Sequence, residues 1–322
     1  MKSHTYCRYA LTVGVVAALL AGCSGSQLPV GAPGAATQTA GIATHAGFGQ
    51  SWMRPGAKRR DLLYVSSGSF VYVYSYPRGG KVGMLAGFSE PRGECADAAG
   101  NIFITDSGTF ATYEFAHGGT TPIATLYGGY SLPSACSIDP TTGNLAVVAL
   151  VGVSVFAHNK RGWRYPKPYH DGIYFTSYGG YDNEGNLFVD GTSAPPSTAF
   201  QFQELKKGSN TFVNVALDQA VQAPGQVQWD GQFLAVGDSG VKPSVIYQFS
   251  VTGSSGSVQG TTILRGTTKS VRQFWIRKGK VVAPDYGKDD KSFLGFYKYP
   301  AGGSPNQTIA IDGAGSVVSP AK

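Results

Sequence analysis

A short turn, Asp-x-x-Gly-Asn, recurs along this chain and constrains its fold more than any other feature. It stands as Asp97-Ala98-Ala99-Gly100-Asn101 and Asp182-Asn183-Glu184-Gly185-Asn186, and one residue longer as Asp139-Pro140-Thr141-Thr142-Gly143-Asn144. Asp230-Gly231-Gln232 and Lys278-Gly279-Lys280 are shortened relatives. The glycines Gly100, Gly143, Gly185, Gly231 and Gly279 lie 43, 42, 46 and 48 residues apart. After each turn comes a short apolar run: Ile102 to Ile104, Leu145 to Val148, Leu187 to Val189, Phe233 to Val236, and Val281 to Ala283, with Leu62 to Val65 as a sixth. These runs are continuous, not alternating, which suits strands packed on both faces. A repeat of this length in an all-β pattern predicts propeller blades.

Each apolar run leads to a third strand ending in Tyr76, Phe115, Phe156, Leu205, Phe249 or Tyr299. Turns such as Pro77-Arg78-Gly79-Gly80 follow, with Gly supplying positive φ. Six such units predict an all-β, six-bladed β-propeller of four-stranded antiparallel blades over residues 61–322. The first unit lacks an opening strand, while the last runs on into Gly315-Ser316-Val317-Val318-Ser319. That segment is expected to close the ring by pairing with Leu62 to Val65, removing exposed edges. With 45 Gly and 14% charged residues, the composition is that of a turn-rich β protein.

The N-terminus reads as an address. Lys2 and Arg8 precede an apolar run from Ala10 to Leu20, too short to span a bilayer and suited to a removed signal peptide. Its end, Leu20-Ala21-Gly22-Cys23, resembles the bacterial lipobox. That resemblance implies a lipoprotein signal peptide over 1–22, acylation (palmitate among the chains) at Cys23 and anchoring to a membrane. Ser24 in place of Asp favours outer-membrane sorting in a Gram-negative source, facing the periplasm or the surface. Residues 23–60 are expected to be an acylated Cys and a flexible Gly/Ala/Pro/Thr tether, ended by Arg54, Lys58, Arg59 and Arg60. The net charge of +7 falls to +5 once Lys2 and Arg8 are removed. That excess is spread out and does not call for nucleic acid.

The Asp-x-x-Gly-Asn turn and apolar strand, followed by Asp as in Thr105-Asp106-Ser107-Gly108, resembles the NHL-type, lactonase-like six-bladed propeller superfamily, which includes uncharacterised bacterial lipoproteins. The resemblance covers roughly residues 61–320. Its lactonase members imply a Glu, an Asn and an Asp around one divalent metal, of which only Glu94 is assignable here.

Several residues are candidates for sites. Cys95 and Cys136 both fall on opening strands, and an exported compartment suggests a disulfide. Two buried thiols are the alternative, since the pair is offset by one place relative to Pro91 and Pro133. Asp106, Asp190, Asp238 and Asp285 end second strands; they either converge on Ca or Mg or accept backbone N–H bonds in their own turns, and the second reading is the one adopted. Arg272 and Gln273 do not repeat and are expected in the channel. Trp163, Arg164, Tyr165, Tyr169, His170 and Tyr178 form an aromatic and basic stretch suited to stacking on a sugar or clasping a peptide. Trp229 and Trp275 read as core packing. No nucleophile motif or phosphate loop is present. The expected function is a monomeric, membrane-anchored envelope binding module for a protein or glycan partner, without a cofactor. The alternatives are a divalent-metal-dependent hydrolase or lyase, with Ca or Mg at Glu94, and a structural envelope protein without a small ligand.

Overall fold

A computed structural model of the chain describes residues 46–128, 132–286 and 292–322. The signal segment, Cys23 and the first part of the tether lie outside the described residues. The remainder forms a six-bladed β-propeller of antiparallel sheets. The second to sixth blades open with inner strands Pro91–Ala96, Pro133–Ile138, Phe175–Tyr181, Val227–Trp229 and Trp275–Arg277. Each inner strand pairs with a second strand across the repeated turn.

The turn forms as its residue types require. Asp97 and Asp182 each accept bonds from the backbone N–H and the amide of the Asn four places on. Asp139 accepts from Thr141 and Thr142, while Gly100, Gly143 and Gly185 hold positive φ at 88°, 75° and 88°.

The first blade takes its inner strand from the far end of the chain. Gly315–Ser319 lies antiparallel to Leu62–Ser67, pairing Leu62 with Ser319 and Ser66 with Gly315. The expected ring closure is therefore what forms. Both strands are buried nearly throughout.

Six hydrophobic clusters hold the ring, one at each junction between neighbouring blades. Leu62 and Tyr64 pack toward the second blade, while Leu63 and Val65 pack toward the sixth. Alternate side chains of one strand thus serve two interfaces, which explains the unbroken apolar runs. Near the axis the inner strands almost touch. A Cβ on Gly93 would lie 2.4 Å from the Cα of Ala135, and one on Gly180 would lie 2.3 Å from the carbonyl oxygen of Val227.

The expected tether is corrected at its C-terminal end. Residues 46–60 are folded onto the first blade: Ala46–Gln50 forms a 3-10 turn, and Trp52–Met53 adds a fifth strand outside Lys81–Leu85. The Phe48 ring sits edge-on to Phe88, Tyr113 and Phe115 at 5.2–5.7 Å. Burial of Phe48 and Ala57, the pairing of Trp52–Met53 with Gly83 and Met84, and the Ala86 N–H bond to the Ser51 hydroxyl oxygen together hold this segment in place. Among the described residues, no helix is long and apolar enough to cross a membrane.

Candidate ligand-binding site at the channel mouth

In an antiparallel blade, the turns between second and third strands share one face of the ring with the loops that enter the next blade. Buried aspartates organise that face. Asp106 accepts the backbone N–H groups of Ser89 and Glu90 at 2.8 and 2.7 Å. Asp238 does the same for Gln222 and Ala223, and Asp285 for Thr268 and Lys269. Asp190 joins two blades, accepting from Tyr178 in its own and Gly225 in the next. These carboxylates are occupied by backbone N–H groups, though mostly not in their own turns as the adopted reading had it. Asp106 and Asp238 also accept from their own turns, at Gly108 and Gly240, but most of the partners belong to the loops entering the blades.

Between these loops lies a cavity of about 270 Å³ lined by Glu90, Arg92, Ser134, Thr176, Tyr178, Arg272, Gln273 and Tyr286, among others. The Arg272 guanidinium lies over the Tyr286 ring, 5.3 Å from its centre. Arg92 pairs with Glu90, whose carboxylate also accepts the Ser107 hydroxyl at 2.6 Å. Burial raises the pKa of the Tyr178 hydroxyl, against the opposing fields of Arg272 and Arg92. Both guanidiniums therefore bear on one phenol.

Gln273 is 3% exposed, and neither of its amide atoms has a hydrogen-bond partner. The close-packed backbone beside it needs glycine: a Cβ on Gly315 would fall 2.5 Å from the carbonyl oxygen of Arg92, besides crowding Gln273 Oε1.

Glu94 lies on the inner strand of the second blade, 1% exposed. The Ser66 hydroxyl donates to its Oε1 at 2.5 Å, and its Oε2 has no partner. Burial pushes its pKa up to about 8. The lactonase-type metal set implied by resemblance does not fit this site, because a hard divalent ion needs several oxygen ligands. Among the described residues, no group of three His, Cys, Asp or Glu side chains could hold a metal ion.

The six residues of the aromatic and basic stretch are not brought together. Trp163 lies in a small hairpin (His158–Asn159 with Gly162–Trp163) at the opposite end of the blade from the channel-mouth loops. Its indole N–H donates to Glu114 at 2.7 Å, with the ring edge-on to Phe103 at 5.6 Å. The backbone N–H of Arg164 donates to Ala157 in the same hairpin. Tyr165 is 85% exposed, Tyr169 pairs with Val153 on the outer strand, and His170 begins the loop into the fourth blade. Of the six, Tyr178 alone lines the channel mouth with Arg272 and Gln273.

Cys95 and Cys136 are joined in a disulfide, their Cα atoms 5.6 Å apart. The bond borders a second cavity of about 250 Å³ at the other end of the channel, which Trp229 and Trp275 also line. Those indoles are half-buried wall residues as well as core.

Arg92 and Tyr286 escaped the sequence reading. Arg92 lies on the inner strand of the second blade and Arg272 in the segment that enters the inner strand of the sixth, the two blades that flank the first, and both line the mouth.

No protein-family model and no curated protein matches this sequence. Solved structures do match. A chain in the crystal structure of a nidogen–laminin complex superposes with a TM-score of 0.62 at 11% identity, covering 81% of this chain and 99% of that one. At that identity the likeness shows the fold alone.

Proposed function

We propose that this chain is an exported, lipid-anchored envelope lipoprotein whose propeller is a binding module for a protein or glycan partner. The lipobox-like Leu20-Ala21-Gly22-Cys23 behind a signal-type segment supports the address. A disulfide between buried cysteines suits an oxidising, exported compartment. The observation that carries the binding reading is Gln273. An unpartnered buried amide is costly, and this one sits in the wall of a cavity that also holds Arg92 and Arg272. A group entering from the mouth can pair with it. The structural neighbour belongs to a protein–protein complex, a use of the fold compatible with this reading.

Three experiments test the proposal. The wild-type chain is expected to sediment with membranes and Cys23→Ala to be released; release of both would remove the anchor. Envelope proteins and glycans are then passed over immobilised wild type, Arg272→Ala and Gln273→Ala. A partner held by the wild type and lost by both variants, with melting temperatures unchanged, supports the site. Equal retention by all three rejects it. Elemental mass spectrometry is expected to show no stoichiometric divalent ion. About one ion per chain, lost in Glu94→Gln, would restore the hydrolase or lyase reading.

A further inference from the structure

The ring contains an internal experiment on a second site, on the face opposite the channel mouth. Glu114 in the second blade and Glu204 in the fourth occupy the same repeat position. Glu114 pairs across the strands with Phe103, and Glu204 with Phe188, the equivalent phenylalanine. Each phenylalanine packs toward the following blade. At the first junction the following blade carries a long hairpin, and Trp163 from it fills the gap. Its indole N–H binds Glu114 and its ring lies against Phe103.

At the second junction nothing among the described residues fills that place. The fifth blade joins its third and fourth strands by a tight turn at Gly253, with no room for an inserted aromatic. What remains is a cavity of about 360 Å³ lined by Glu204, Asp182, Glu184, Phe188, Trp229 and Phe249, among others. Glu204 is 5% exposed, and its Oε2 has no hydrogen-bond partner. Glu114 shows what this position accepts, an N–H donor on a flat group. The surroundings differ in charge. Burial raises the pKa of Glu204, and the fields of Asp182 and Glu184 raise it further, opposed by Lys206. Three carboxylates against one ammonium favour a cation.

We propose that the slot between the fourth and fifth blades binds the guanidinium of an arginine side chain from a partner polypeptide, with Glu204 as acceptor and Phe188, Trp229 and Phe249 as walls. A guanidinium is planar, carries several N–H donors and is weakly hydrated, which suits a slot with an acidic lining and an indole wall better than an ammonium. The lack of a metal-holding group among the described residues is in keeping with an organic cation. The proposal goes beyond the channel-mouth reading and does not depend on it.

The test titrates the full chain with N-acetyl-arginine amide and with its neutral isostere N-acetyl-citrulline amide, following Trp fluorescence and amide NMR shifts. The wild type is expected to bind the arginine probe and to prefer it over the citrulline probe by roughly tenfold or more. Glu204→Gln and the exposed, fold-neutral Glu184→Gln should each weaken the arginine probe, whereas Arg272→Ala on the opposite face should not. Equal affinity for the two probes, unchanged binding in both glutamine variants, or no shift up to roughly 10 mM would overturn the proposal. A partner lost through Arg272→Ala alone would bear only on the channel mouth.

Discussion

Buried carboxylates in this protein differ by what meets them. Asp190 is fully buried, yet two backbone N–H groups from different blades donate to it. Glu94 has one hydroxyl and an idle oxygen. Its folded-state pKa, about 8, lies above the ordinary 4.5, so the folded protein holds a proton that the unfolded chain releases. The stabilisation from that proton is complete below the unfolded value and is lost as pH rises through the folded one. Melting temperature is therefore expected to fall between about pH 5 and pH 8. Glu94→Gln should flatten that decline and gain on the wild type at the alkaline end. A parallel pair of pH profiles would show that Glu94 titrates normally. The channel candidates were legible at this level because Arg272 and Gln273 break the repeat. Arg92 lies where a register shift interrupts its inner strand, so its place at the mouth does not follow from counting along the repeat. Glu204 gave no sign, because its meaning depends on a hairpin present in one blade and missing from another.

The disulfide shows what a strand adds to a residue. Equivalent positions in neighbouring blades point the same way around the ring and cannot face each other. Glu94 points back to the first blade, reaching Ser66, and Cys136 occupies the equivalent register and points back to the second. Cys95 is one place further along its strand, so it points forward and meets Cys136. The one-residue offset that looked like an obstacle is the condition for the bond. The bond closes a loop with a sequence separation of 41, for which the chain-entropy account gives about 4 kcal/mol. Replacing both cysteines by alanine is expected to cost roughly 2–4 kcal/mol in urea unfolding. A loss under about 0.5 kcal/mol would mean that the two strands are held without it.

Closure of the ring is a property of the whole chain. Gly315–Ser319 supplies the inner strand of the first blade, and Val317 and Val318 reach the clusters on its two sides. Removing residues 313–322 would open a strand edge along Leu62–Ser67 and expose both junctions together. Cooperative thermal unfolding should disappear in that truncation; a truncated protein that still melts in one sharp transition would refute closure as the keystone. Blade count, turn chemistry and the closing strand could be read along the chain. These follow from local pattern: Asx turns, positive-φ glycines and apolar runs repeat wherever the backbone repeats. Which side chains meet across blades is settled by the folded ring. It paired the cysteines, divided Trp163 and Arg164 from Tyr178, seated Phe48 in the first junction and left the slot at Glu204 unfilled. Those outcomes depend on the direction in which each side chain leaves its sheet and on the length of the neighbouring blade's turns, neither of which a single repeat contains.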